Sequence, residues 1–429
     1  MKNKYYITVL FLSVFFSVNA QFQWHAIQSI ANDVNNGQRY DDVFFLNENL
    51  GWAANGFFAA IYKTTDGGNS WELKVDGDDL GGGLYFRNIE FLDENIGFIG
   101  TLNNKTFKTN DGGETWTQIT NFSINPIAIC GLDAVGSSTV YGFGAYFEPA
   151  FMIKSTDSGA TWQYTDMTAH ATALVETKFV NENLGYAAGK SATGAIIIKT
   201  TDGGATWTEI DNSGIAGEYV WKLQILDGTS NNVIFGAVEA ESPNVGKLIK
   251  TIDAGANWTT KAAPESHIQA VGFISETHGW MGGNGAGIHE TTDGGDTWTD
   301  VGVGGNLNRI FVVNSSTVYA AGTTVYKYTD QTLSTDQYTT ERVPLEIKML
   351  DNPIGDNLKL SVSYLGADNI LIELYDITGK LIKLLVRDRI QQINYTKEYD
   401  FDVSELSPGL YILGFHNSTG RQSVKFVKK

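Results

Sequence analysis

Between residues 21 and 330 the chain holds only three arginines, Arg39, Arg87 and Arg309, and each stands just before or at the start of a hydrophobic run that reads as a strand. A planar guanidinium grips a carboxylate through two parallel hydrogen bonds, so three brought together by a fold could hold one acidic group. Tyr85, Tyr219, Trp221, Lys222 and His267 occupy the same kind of position. Basic and aromatic side chains gathered on one face of an acidic chain suit an anionic glycan or a peptide carboxylate, with aromatic faces stacking on sugar or peptide. Arg39, Tyr85, Arg87, Trp221, Lys222, His267 and Arg309 are therefore the candidate ligand-binding residues. The competing role for the arginines is internal pairing with neighbouring acids such as Asp41, Asp42 or Glu90.

No catalytic set emerges beside them. His25, His170, His267, His278 and His289 show no H-x-x-x-H spacing, and Cys130 lies in the apolar run Ile127–Leu132. No serine stands in a G-x-S-x-G setting, so neither a zinc site nor a nucleophile is indicated. Asp76, Asp78 and Asp79 precede Gly81–Gly83, which reads as a solvated turn ahead of a weak calcium loop. No metal or cofactor is expected.

What must position these residues is a repeat. One nonapeptide, Lys63-Thr-Thr-Asp-Gly-Gly-Asn-Ser-Trp71, recurs in near-copies with its aspartate and tryptophan at Asp66 and Trp71, Asp111 and Trp116, Asp157 and Trp162, Asp202 and Trp207, Asp253 and Trp258, and Asp293 and Trp298. A seventh copy, Tyr326–Asp330, lacks the glycines and tryptophan. The period of about 45 residues fits one four-stranded propeller blade. In such a turn the carboxylate accepts backbone N–H groups, glycines take conformations closed to other residues, and the tryptophan packs between blades. Upstream of each copy lies a hydrophobic strand, a polar turn and a small-residue strand, as in Val43-Phe-Phe-Leu-Asn-Glu-Asn-Leu-Gly51-Trp-Ala-Ala. Counting these units gives seven. Because the last repeat has no tryptophan strand, Gln21–Ile27 is expected to supply the outer strand that closes the ring and covers its edge. The fold class is thus all-β: a seven-bladed β-propeller with N-terminal strand closure, followed by a small C-terminal antiparallel β-sandwich.

The nonapeptide resembles the Asp-box, or bacterial neuraminidase repeat, and with the upstream element the segment looks most like propellers of the photosystem II stability and assembly factor type. The resemblance implies a fold and a scaffold or binding role, and it implies that the six box aspartates are structural. Sialidases share the Asp-box propeller and use three arginines, but their Arg-Ile-Pro motif is absent, since Phe311 follows Arg309-Ile310. Tandem-propeller xyloglucanases set two carboxylates across a cleft between two propellers, and one propeller is read here. A glycoside hydrolase is accordingly the runner-up to a binding module.

The ends carry addresses. Lys2 and Lys4, the apolar run Ile7–Val18 and the small-residue end at Ala20 read as a secretory signal over 1–20. After a polar linker at 331–344, residues 345–429 alternate as short strands. Asn352-Pro353, Tyr375-Asp376 with Gly379-Lys380, Leu406 to Tyr411 and Lys425-Phe426-Val427-Lys428-Lys429 closely resemble the C-terminal sorting domain of type IX secretion substrates, which implies export across the outer membrane by that machinery. The domains are therefore 1–20, 21–330, 331–344 and 345–429. Of the chain's 429 residues 42% are hydrophobic and 18% charged, a composition that folds. The net charge of −18 argues against nucleic acid as partner, and no apolar run reaches the length of a membrane span. The expected partners are the secretion machinery and an extracellular glycan or protein at the cell surface or beyond it.

Overall fold

A computed structural model describes residues 22–31, 39–144, 147, 149–285, 287–330, 345–364, 368–377, 380–390, 395–417 and 420–429. The expected leader at 1–20 and linker at 331–344 lie outside those residues. The chain divides into two units, Met1–Thr332 and Leu333–Lys429.

Among the described residues the first unit contains seven four-stranded antiparallel sheets. Their innermost strands are Tyr40–Phe45, Phe86–Phe91, Gly131–Val135, Ala173–Phe179, Tyr219–Ile225, Ile268–Phe273 and Arg309–Asn314. Each packs on the next, and the last packs back on the first, so the sheets close a ring. Within each sheet the chain runs outward strand by strand, except that the seventh takes its outer strand, Phe22–Ala26, from the other end of the unit, paired antiparallel with Val325–Asp330. Trp24 seals that seam against Trp280 and Tyr328. Among the described residues the one helical turn is the 3-10 segment Gly77–Leu80.

The repeated sequence elements each have a local cause. The polar turn after the inner strand is held by its first side chain: Asn47, Asp93 and Asn181 each accept two backbone N–H groups from residues two and three positions on. The glycine opening the second strand is required by packing, because the aromatic ring ending the inner strand lies across it. A Cβ on Gly51 would sit 2.5 Å from the Phe45 ring, and one on Gly185 would sit 2.3 Å from Phe179. In the nonapeptide, Asp66 Oδ1 accepts from the Ser70 backbone and Thr64 Oγ1 while Oδ2 accepts from Ser70 Oγ. The same set recurs around Asp111, Asp157, Asp202, Asp253 and Asp293. The tryptophans lean on the preceding sheet, as where Trp162 meets Phe98 edge-on and Trp207 meets Phe143.

One link between sheets is absent from the sequence reading. The lysine that opens a nonapeptide lies over the aromatic ring of its own second strand and donates to a carbonyl in the next sheet's turn. Lys154 over Tyr141 reaches Gly203 O, Lys199 over Tyr186 reaches Ala254 O, and Lys327 over Tyr319 reaches Gly67 O. The tyrosine hydroxyls donate to the same carbonyls. The last of these contacts joins the seventh sheet to the first.

The second unit has a three-stranded sheet, ordered Leu345–Met349, Asn357–Tyr364 and Tyr395–Asp402, and a four-stranded sheet, ordered Leu381–Ile390, Asp368–Asp376, Gly409–Asn417 and Gly420–Lys428. Leu358, Leu360 and Val362 from the first share one core with Ile372, Leu374, Leu413, Phe415 and Phe426 from the second.

Candidate functional site

Five of the seven inner strands break register at the same place, with one unpaired residue each: Asp41, Arg87, Val175, Trp221 and Gln269. A bulge inserts an extra residue, interrupts the alternation of side chains and re-aims the one it adds. Here the repetition brings Asp41, Arg87, Trp221 and Gln269 together where the inner strands begin. The Arg87 guanidinium bonds Asp41 Oδ1 and stands 5.6 Å from the centre of the Trp221 ring. Trp221 stacks on Tyr219 at 4.7 Å, and the Lys190 ammonium sits 4.9 Å from the Tyr219 ring. Both aromatic faces are thereby occupied, by each other and by a cation on either side. This differs from the expected free stacking surface, since Tyr219 is buried and Trp221 partly so.

Arg39, also at this mouth, is fully committed. Its Nε and Nη2 hold Asp41 Oδ1 at 3.0 Å, and Nη1 donates to Gln269 Oε1 at 3.1 Å and to Asn284 Oδ1 and Asn306 Oδ1 at 3.2 Å each. Gln269 Nε2 continues to Glu239 Oε2, and Glu239 Oε1 meets His267 Nδ1 at 3.0 Å. His267 is half-exposed, with 56% of its side-chain surface open. Burial, with Asp41 next in effect, pushes the Tyr85 hydroxyl up to about 12, so it is a neutral group at the lip.

Deeper on the axis lies a second, buried set of charges. Arg309 bonds Asp42 at 2.7 Å and Glu176 at 3.2 Å, Lys222 bonds Glu176 at 2.9 Å, and Lys178 bonds Asp133 at 2.9 Å. Burial alone would raise the Glu176 carboxyl, but Arg309, Lys222 and Lys178 together outweigh it and hold it down to about 2. Burial lowers the Lys222 ammonium to about 8 against the pull of Glu176. Glu90 is also enclosed, and desolvation, only partly offset by Lys178, holds its carboxyl well above the ordinary range.

The seven sequence candidates therefore fall into two layers. Arg39, Tyr85, Trp221 and His267 stand at the mouth, whereas Arg87, Lys222 and Arg309 lie beneath with carboxylate partners. The three arginines do not point at one open place: Arg39 and Arg87 share Asp41, and Arg309 holds Asp42 and Glu176. Gln269, Asn284, Asn306, Glu239 and Lys190 belong to the mouth and escaped the sequence reading, whereas Asp41 and Asp42 are named there as partners for the arginines and do pair with them. Asp76, Asp78 and Asp79 mostly serve their own turn, Asp76 accepting from Asp78 N and Asp79 from Asp76 N. Among the described residues no group of three or more His, Cys, Asp or Glu could hold a metal ion.

Residues 350–429 match the secretion system C-terminal sorting domain. That tail marks a type IX substrate. The chain is exported, to the cell surface or into the medium. The fold of the first unit is that of β-propellers. YCF48 from Cyanidioschyzon merolae aligns with a TM-score of 0.57 at 17% identity, over 72% of this chain and 99% of that one. PorZ, a surface component of the type IX secretion system of Porphyromonas gingivalis, aligns with a TM-score of 0.52 at 13% identity, over 91% of this chain and 59% of its own. An ancestral GH74 enzyme aligns with a TM-score of 0.53 at 13% identity, over 95% of this chain and 64% of its own. Among curated protein sequences none matches the chain.

Proposed function

We propose that the chain is an exported binding module: a seven-bladed propeller, delivered by a sandwich-type sorting domain, that holds an extracellular glycan or protein ligand at the mouth where its inner strands begin. The supporting observation is the shared bulge, which gathers Asp41, Arg87, Trp221 and Gln269 from four sheets. Irregularity repeated at one level of a ring is characteristic of places where side chains are re-aimed for use. Tyr85, Trp221 and His267 are the groups a ligand meets, Arg39 braces the mouth around them, and Arg87, Lys222 and Arg309 set the charge beneath. Six conserved-geometry box turns, by contrast, spend their aspartates on their own backbone and hold the ring together.

A hydrolase of sialidase type needs its arginines free to grip substrate, and these three hold protein carboxylates instead. The test is an array of surface glycans and cell-surface proteins probed with the full chain lacking its leader. Binding is expected for the parent and lost in the Trp221→Ala/His267→Ala double variant at unchanged melting temperature. Equal binding by that variant rejects the mouth as the site, and turnover of a fluorogenic sialoside rejects the binding-only reading.

A further inference from the structure

The mouth carries a more specific chemistry than its basic residues suggest. Arg39 Nη1 faces three side-chain amide oxygens, those of Gln269, Asn284 and Asn306. A guanidinium only donates, so each of these amides must turn its oxygen inward and its NH2 group away from Arg39. The Gln269 NH2 is taken by Glu239. The Asn284 and Asn306 NH2 groups donate to no other described residue, and both side chains reach the surface at the mouth. Asn306 holds this position from a left-handed backbone, φ +49°, a conformation kept where the surroundings require it. Beside them His267 uses Nδ1 on Glu239, which leaves Nε2 open on a half-exposed ring.

Beside the two amides charge is paired: Arg39 holds Asp41 and Glu239 meets His267, while the Lys190 ammonium stands over the Tyr219 ring. The open groups are therefore neutral amide donors and an imidazole nitrogen, carried on a rigid fan with Arg39 at its hub. Neutral donors and acceptors at fixed spacing complement vicinal hydroxyl groups, whereas a carboxylate or sulfate calls for an uncompensated cation. Resting on the binding reading above, we infer that the ligand class is an uncharged glycan, whose hydroxyls are held by Asn284 and Asn306, with Arg39 as a positioning residue that does not itself touch the sugar.

Isothermal titration calorimetry on the full chain tests this with uncharged glucan, mannan and galactan hexasaccharides, oligogalacturonate as the anionic arm and a carboxylate-terminated peptide as the protein arm. Binding is expected for an uncharged oligosaccharide, with affinity insensitive to salt because no net charge is paired. Asn284→Ala and Asn306→Ala should each weaken it about tenfold, the worth of one well-placed hydrogen bond to a ligand. Asn306→Asp, which tolerates the same backbone and keeps an oxygen toward Arg39, should weaken it as much while the protein stays folded. Arg39→Lys should also weaken it, since an ammonium cannot hold Asp41 and three amides in one plane, and should leave the salt response flat. Salt-sensitive binding of oligogalacturonate, or failure of every uncharged probe, overturns the inference. If Asn284→Ala and Asn306→Ala bind like the parent while Trp221→Ala/His267→Ala does not bind, the amide assignment falls and the mouth survives. If neither pair of changes alters binding, both readings fall.

Discussion

Glu176 and Glu90 face the same buried axis with opposite consequences. Glu176 balances Arg309 and Lys222. Its loss leaves Lys222 enclosed without its carboxylate and Arg309 with Asp42 alone, so Glu176→Gln should destabilise the ring by about 3–5 kcal/mol in denaturant unfolding. Glu90 is enclosed with its carboxyl raised above the ordinary 4.5. The folded state then binds more protons than the unfolded state over the window from that ordinary value up to the raised one, and stability falls as pH rises through it. Glu90→Gln removes this cost. The variant should unfold at higher temperature than the parent at pH 7, and the gain should vanish below the ordinary carboxylate range; a gain independent of pH would assign it to packing. The box aspartates have the reverse sign. Hydrogen bonds from the side chains of Thr161, Thr206 and Asn257, then from their backbones, hold Asp157, Asp202 and Asp253 at about 2. The stability they supply is present above the ordinary 3.8 and is lost as pH falls toward 2.

At the level of the element, much was legible because the chemistry is local. Asp66 and its equivalents satisfy donors within four residues, so the motif is complete in one stretch of chain and predicts its own turn. The strand-opening glycines were equally visible as part of a repeat, although the ring that demands them was not. Bulges leave no such trace: an extra residue in an inner strand shows only against its partner's register, and Gln269, Asn284 and Asn306 look like ordinary amides until Arg39, over two hundred residues away, collects them. Two changes test the element-level account. In the fifth repeat Ala254 stands where the first, second, fourth and sixth carry glycine, and it adopts φ +57°. A left-handed backbone costs a residue with a Cβ about 1–2 kcal/mol, so Ala254→Gly should raise stability by about 1 kcal/mol, measured by urea unfolding. Tyr319→Phe removes the hydroxyl that donates to Gly67 O at 2.7 Å across the closing seam. With Lys327 still on that carbonyl, the loss should be about 0.5–1.5 kcal/mol, and a double-mutant cycle with Lys327→Met should show coupling between the two.

For the molecule as a whole, each unit has its own core, and the charge is divided unevenly between them. Residues 345–429 carry 11 basic and 11 acidic side chains, so the net −18 belongs to the rest of the chain. The acids of the ring answer to separate needs: some close turns, some neutralise buried cations on the axis, and the remainder keep the exported protein soluble. The sorting unit answers to a different need, recognition during export, while the ring is closed by Phe22–Ala26 on Val325–Asp330. Stability and delivery should therefore separate. A chain ending at Asp330 should unfold at the parent's first-unit temperature and keep its ligand, yet fail to reach the cell surface or medium when expressed in a type IX-competent host. Shortening the other end should do the opposite. Removing Phe22–Ala26 uncovers the Val325–Asp330 edge and strips Trp24 from Trp280 and Tyr328, so the ring should lose cooperativity and aggregate even with its sorting unit intact. Normal melting of that variant would mean the seam is held by the remaining contacts between the seventh and first sheets, among them Lys327 and Tyr319 on Gly67 and Arg309 on Asp42.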